Sequence, residues 1–208
     1  MRKIWIRTLA VAVIGLAVTM TSCIYKNGDV VINETVCVNL DEVQTTGTFS
    51  SFVVCDKFKE ALERKLNEQQ RHKKDVKSIH MVSATFKTMA VKPHDWRVTG
   101  DVDIARQDVS GGPYEDGPAT LVVFDNQSLK DLKGRPTDAD LLEDGVEVVN
   151  NALEALLNDE DPRLILLIEN ESVSPTPTTQ TPMEFKLLVC VKFQMVVDMK
   201  RDHHRGKP

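Results

Sequence analysis

The chain has 208 residues, with 26 Lys and Arg against 31 Asp and Glu, which gives a formal net charge of -5. This length suits one domain with a sizeable core. The acidic balance disfavours nucleic acid and direct docking onto anionic lipid, because both need clustered positive charge. We therefore expect no nucleic-acid partner and a domain that faces water.

The N-terminus has the layout of a secretory signal peptide. Arg2, Lys3 and Arg7 precede an uncharged apolar run over 9–18, and small or polar residues lead to Cys23. The run is shorter than the roughly 20 residues that cross a bilayer as a helix. We predict a signal peptide over 1–22. An uncleaved membrane span is the alternative, because residues 8–25 contain no charge.

The four residues Met20-Thr21-Ser22-Cys23 resemble the lipobox of bacterial lipoproteins, in which small residues precede a cysteine that is acylated and then exposed by cleavage. The resemblance implies a diacylglyceryl thioether on Cys23, usually with an N-acyl chain such as palmitate, and two or more chains anchor stably. Ile24 stands where Asp resembles an inner-membrane retention signal, so we expect a lipid anchor in the cell envelope, at the outer membrane. An ordinary secreted protein with an accidental cysteine is the alternative.

Removal of residues 1–22 leaves 186 residues with 23 Lys and Arg against 31 Asp and Glu, a charge of -8. We divide the mature chain into a lipidated linker over 23–28, a single β-rich domain over 29–199 and a basic tail over 200–208.

Strand periodicity dominates this domain. Nine alternate residues from Met183 to Met199 are apolar, which predicts a strand with one buried face. The same alternation predicts a first strand over 30–40 and another over 96–104, where Trp96 is interpreted as a core residue. Weaker strand candidates lie at 47–54, 75–91, 118–125 and 163–173.

Two amphipathic helices interrupt the strands. The first begins after Asp56, a typical N-cap, and carries Phe58, Leu62 and Leu66 on one face to about residue 73. The second begins after residue 137 or 138 and ends before Pro162. The order ββαβββαββ predicts a mainly β, antiparallel sandwich of about seven strands, with the helices at its ends or across one face.

The cysteines form no C-x-x-C pair, so zinc-ribbon and thioredoxin folds have no support. Besides Cys23, three cysteines remain, which allows at most one bridge. Strand alternation places Cys37 and Cys190 on outer faces, and they are the candidate disulfide if their strands are neighbours. Cys55 precedes a helix N-terminus and is the candidate free thiol. Three free thiols are the alternative.

No residue constellation identifies a catalytic, cofactor or metal site. Asp101 and Asp103 share a strand face, as a hydrolase pair does, but a solvent-facing side of the strand explains them more simply. The acidic run 158–161 lacks the ligand spacing of a calcium loop and is typical of a solvated helix end. The histidines do not lie at ligand spacing from acidic residues or cysteines; they are His72, His80, His94, His203 and His204.

These observations favour a non-enzymatic envelope lipoprotein that acts as a binding or structural module, with loops that meet another envelope protein or a glycan. The alternative is a carrier of a hydrophobic ligand held between the sheet and the helices. A third hypothesis is an envelope hydrolase that uses Asp101, Asp103 or a histidine.

Overall fold

The computed structural model describes residues 25–26, 29–45, 50–55, 57–92, 95–107 and 117–198. It is mainly β with two α-helices, as the periodicity predicted. The elements are β1 (Tyr25–Lys26), β2 (Asp29–Thr45), β3 (Ser50–Cys55), α1 (Lys57–Glu68), β4 (Val76–Lys92), β5 (Arg97–Gln107), β6 (Ala119–Ser128), β7 (Thr137–Asp138), α2 (Glu143–Leu157), β8 (Arg163–Ser174) and β9 (Met183–Asp198).

The strands form two antiparallel sheets. Sheet A has the order β1-β2-β9-β4-β7, and sheet B has the order β3-β8-β5-β6. The inward residues of both sheets and of both helices belong to one hydrophobic core. The described chain is therefore a two-layer sandwich built as one domain.

Strand β9 lies at the centre of sheet A, hydrogen-bonded to β2 on one side and β4 on the other. Its alternate residues from Met183 to Val197 are each at most 4% exposed. A central strand of an antiparallel sheet buries one face and wets the other. This position explains why β9 has the longest uninterrupted alternation in the sequence.

Both helices are shorter than the sequence predicted. Helix α1 ends at Glu68, because Gln70 adopts a φ of 54° and the Arg71 N–H donates to the Leu66 carbonyl at 2.8 Å. Helix α2 begins at Glu143, five residues late. The backbone before it is used by the sheets, since β7 pairs with β4 and the Leu142 N–H donates to the Leu121 carbonyl at 2.9 Å.

The predicted linker over 23–28 contains a short strand. Tyr25 and Lys26 of this segment pair with Val30 and Asp29. The two-residue strands β1 and β7 raise the strand number in the described chain from about seven to nine. The predicted signal peptide over 1–22 and the predicted tail over 200–208 lie outside the described residues.

The two ends of the sandwich differ. One end contains α1, the α2–β8 connection and Val197, which pairs with both Val30 and Val76. We name it the helix-covered end. We name the opposite end the open end; β4, β6 and β8 finish there, and β9 starts there. At the helix-covered end Phe58 of α1 packs on Phe193 of β9, with ring centroids 6.1 Å apart.

Helix α2 is wedged between the layers, because it contacts β4 of sheet A and β5 and β6 of sheet B. Val149 and Leu153 on its buried face have no exposed surface. Gly145 allows the close approach: a Cβ there would lie 2.5 Å from the Leu121 Cα. The space between sheets and helix is therefore filled.

Candidate functional site

An apolar cleft opens between the two sheets at the open end. Sheet A contributes Phe185 and Leu187 of β9, and sheet B contributes Val98 and Ile168. Its remaining walls are Phe124, Gln127, Leu129, Leu132 and Glu169. The cleft has a volume of about 30 Å³, well below the roughly 300 Å³ at which ligand pockets begin.

A second, more polar cleft of about 90 Å³ adjoins the first and shares Phe124, Gln127 and Leu132 with it. Thr137, Asp138 and Asp140 lie on its other side. Neither cleft includes a residue of α1 or α2. Both clefts thus lie away from the helices, whereas the carrier hypothesis placed its ligand between the sheet and the helices.

The segment after β6 forms one wall of the apolar cleft. Leu129 and Leu132 turn inward and are 6% and 3% exposed. The Leu129 N–H donates to the Trp96 carbonyl at 2.8 Å, and the Lys133 N–H donates to the Lys130 carbonyl at 3.0 Å. Trp96 itself is buried, and its Nε1 donates to the Lys92 carbonyl at 2.8 Å. Hydrogen bonds to buried residues therefore hold this turn at the open end.

Thr88 lies behind this wall. It has no exposed surface, and its Oγ1 has no hydrogen-bond partner among the described residues. Its N–H donates to the Leu132 carbonyl at 3.0 Å, and it stands opposite Leu187 in the sheet. The sequence analysis did not single out Thr88. A hydroxyl in the inward series Ala84, Phe86, Thr88 is the signal that could have found it.

Three cations surround the same turn. Lys130, Lys133 and Arg135 are exposed, and within the described part of the chain none of them forms an ion pair. Asp131 is the acidic residue between them. Lys133 also forms a parallel bridge with Thr88, which places the backbone of Lys133 beside Thr88.

Asp101 and Asp103 lie on the outer, solvent-facing side of sheet B. Asp101 stands opposite Glu169 of β8, and burial, Asp103, Glu169 and Glu171, in that order, raise the pKa of Asp101. One carboxylate oxygen of Asp103 is buried without a hydrogen-bond partner in the described structure. Among described residues no group of three His, Cys, Asp or Glu side chains is placed to hold a metal.

The histidines do not converge with these carboxylates in the described structure. His72 is exposed, and its N–H donates to the Asp75 carboxylate at 3.0 Å, where the chain turns into β4. His80 is half-buried on β4. The other three, His94, His203 and His204, lie outside the described residues.

The acidic run after α2 pairs with cations. Asp159 contacts Lys73 at 3.0 Å, Glu160 contacts Arg106 at 2.8 Å, and Asp161 contacts Lys59 at 3.3 Å. Their carboxylates therefore point to different partners. This arrangement agrees with a solvated helix end whose charges fasten α2 to α1 and β5.

A disulfide joins Cys37 and Cys190, the pair named from the strand faces. The two residues stand directly opposite each other on β2 and β9, with Cα atoms 4.0 Å apart. Cys37 is exposed and Cys190 is half-buried, while the adjacent Val36, Val38, Val189 and Val191 are buried. The bridge thus lies on the outer face of sheet A. The side chain of Cys55 lies outside what the structure describes.

No protein-family model matches the chain, and no curated protein matches it in sequence. Within the described residues, no helix is long and apolar enough to cross a membrane.

Proposed function

We propose that the protein is a lipid-anchored envelope protein, attached to the membrane through Cys23, and that its β-domain is a non-enzymatic binding module. The observation that carries the proposal is the disulfide between Cys37 and Cys190. Disulfides persist in oxidising compartments and are rare in the cytosol. The bridge thus supports export independently of the basic and apolar N-terminus.

The attachment point favours one orientation of the module. Cys23 precedes Tyr25 by two residues, so chain length alone keeps their Cα atoms within about 7 Å. Tyr25 pairs with Val30 at the helix-covered end. Leu187 in the cleft lies ten residues along β9 from Val197, a distance of about 33 Å in a strand. An anchor on Cys23 would hold the open end away from the membrane, towards another envelope protein or a glycan.

Replacement of the anchor cysteine tests the proposal. We expect Cys23→Ala to move the protein from the membrane fraction to the soluble exported fraction, because the acyl chains have no other attachment point. Cys55→Ala is the matched control and should stay in the membrane fraction. A Cys23→Ala protein that remains membrane-integral with residues 1–22 uncut would contradict the proposal and favour the uncleaved span.

The apolar cleft favours a second candidate function, a carrier of a hydrophobic ligand. Its lining is mainly apolar, and a ligand would have to widen it, because its volume is below that of ligand pockets. Native mass spectrometry of the full chain carrying Cys23→Ala tests this candidate, because that variant has no covalent acyl chain. A co-purified lipid would support the carrier, and a chain free of lipid with a co-purified protein would support the module.

A further inference from the structure

We infer that the bridge between Cys37 and Cys190 is a site of thiol–disulfide exchange on the folded protein, with Cys37 as the sulfur attacked and Cys190 as the leaving thiolate. The partner that this chemistry requires is a dithiol protein. The exchange opens the covalent link between β2 and β9. This inference goes beyond the proposed function and does not depend on the anchor at Cys23.

The bridge lies where an incoming thiol reaches it without unfolding of the chain. It is on the outer face of sheet A, while the inward residues of both helices belong to the core between the sheets. Cys37 is exposed, and so are Thr35 and Asn39, its neighbours on the same face of β2. Exchange needs direct access of the attacking sulfur to one sulfur of the bridge. The folded chain provides that access at Cys37.

The positions of the two strands decide which sulfur is attacked. An attacking sulfur approaches along the line of the bond that it breaks, from the far side of the sulfur that it attacks. For Cys37 the far side is the edge of sheet A, because among the described strands only β1 pairs there, with Asp29 and Val30. For Cys190 the far side is occupied by β4, where Thr85 stands opposite it. Cys190 is also only half-buried on a central strand, whereas Cys37 is exposed.

Two lysines stand beside the sulfur that leaves. Lys192 follows Cys190 by two residues on β9, and Lys87 lies diagonal to Cys190 on β4, so their Cα atoms are about 7 Å from it. Neither lysine forms an ion pair with a described residue. Asp138 of β7 stands opposite Thr85, one strand further away. Nearby positive charge stabilises a thiolate, and a more stable thiolate leaves faster.

The exchange balances in two steps. A thiolate of the dithiol partner attacks Sγ of Cys37, the S–S bond to Cys190 breaks, and Cys190 leaves as a thiolate that takes a proton from water. The second thiolate of the partner then attacks the partner's own sulfur in the mixed disulfide and releases Cys37 as a thiolate. The bridge accepts two electrons, and the partner is oxidised to a disulfide.

The first test uses the full chain carrying Cys23→Ala and Cys55→Ser, in which the bridge holds the two remaining cysteines. Glutathione is the probe, and early samples quenched with acid are mapped by mass spectrometry. We expect glutathione on Cys37 about ten times more often than on Cys190. Addition of about 1 M urea, below the unfolding transition, should leave the rate nearly unchanged. Reduction through global unfolding would instead become about tenfold faster, because urea raises the unfolded population.

The second test concerns the leaving thiolate. Lys87→Gln with Lys192→Gln should slow the reaction about fivefold, the effect of losing two nearby surface charges. Lys130→Gln with Lys133→Gln removes two exposed cations at the open end and is the matched control, which should leave the rate unchanged.

Three results would overturn the inference. They are equal labelling of Cys37 and Cys190, a rate that rises with urea as the unfolded population does, and a rate that responds equally to both lysine pairs or to neither. None of them bears on lipidation of Cys23, which membrane fractionation tests on its own.

Discussion

The two ends of the sandwich close the space between the two sheets in different ways. At the helix-covered end, α1 and α2 fill the space that the layers leave, and ion pairs such as Lys59 with Asp161 fasten the connections. Lys77 joins the starts of β2 and β4 to the end of β9 there, and its hydrogen bond with Asp29 raises its pKa. At the open end a turn takes the place of a helix.

The difference shows how a helix can fill the gap between the two sheets of a sandwich. A helix has one continuous apolar stripe, and α2 uses it to contact both layers at once. The turn after β6 supplies only two inward side chains, Leu129 and Leu132, and leaves a cleft beside them. One end is thus packed by helices, and the other is closed by a turn that leaves a small cleft.

The largest difference between the ends should appear in a pair of identical truncations. Leu153→Ala, in the filled space under α2, should lower the free energy of unfolding by about 4 kcal/mol, because the site is fully enclosed. Leu132→Ala, beside the cleft, should cost about 2 kcal/mol, because part of its surroundings is already open. Urea denaturation compares the two. Equal losses would contradict the contrast between a packed and an open end.

The disulfide lies between the ends and should stabilise both. Cys37→Ser with Cys190→Ser removes a link across 153 residues, and we expect a loss of about 3 kcal/mol. Thermal unfolding of the oxidised protein with and without reductant measures the same quantity on the unmodified sequence. Cys55→Ser is the control. If reductant does not change the melting temperature of the oxidised protein, the bridge is not a stabilising link.

The fit of α2 on sheet B should be sensitive to a single methyl group. A Cβ on residue 145 would lie 2.7 Å from the Thr120 carbonyl oxygen, so Gly145→Ala should lower the free energy of unfolding by about 2 kcal/mol. Helix propensity alone predicts a gain of about 1 kcal/mol. Asn151→Ala, exposed on the same helix, is the control and should be nearly neutral. A stabilised Gly145→Ala protein would show that α2 does not approach β6 this closely.

The smallest effect concerns the outer face of sheet B. The pKa of Asp101 is raised above its ordinary value of 3.8, so the folded chain binds this proton more tightly than the unfolded chain. Ionisation therefore destabilises the fold as the pH rises through the raised pKa. Asp101→Asn should add up to about 0.5 kcal/mol at pH 7, as expected for relieving facing like charges.

The gain from Asp101→Asn should disappear below pH 3.8, where the carboxyl is protonated in both states. Asp125→Asn, exposed on β6, is the control for a general loss of negative charge. Melting curves across pH 3 to 8 compare the two variants. A loss of stability at pH 7 would contradict the repulsion between these carboxylates. Loss of a cellular function without loss of stability would favour the hydrolase hypothesis for the Asp101 and Asp103 pair.

Most of the architecture could be predicted from the sequence, because an element that buries one face has apolar residues at regular spacing. The alternation in β9 and the stripe of α2 exist because each element buries one face, and both could be found from spacing alone. The helix boundaries could not, since β7 and the Leu142 hydrogen bond depend on strands that are distant in sequence. Pairing of Cys37 with Cys190 needed one further fact, that the first and last long strands are neighbours.

The candidate site was less predictable for a physical reason. A cleft is made by what the surrounding elements fail to fill, and Val98, Leu132 and Leu187 look like ordinary core residues in the sequence. Thr88 is the one polar member of an inward series and so gave a weak signal.

We expect the helix-covered end to face the membrane and the open end to face away from it. Energy transfer to a headgroup-labelled acceptor lipid tests it in vesicles that carry the lipidated protein. Fluorophores are attached at Ser78→Cys or Thr179→Cys, both exposed, in a Cys55→Ser background. Ser78 stands opposite Val196, about 40 Å along β9 from the open end. We expect strong transfer from position 78 and weak transfer from position 179. Equal transfer, or the reverse order, would contradict this orientation.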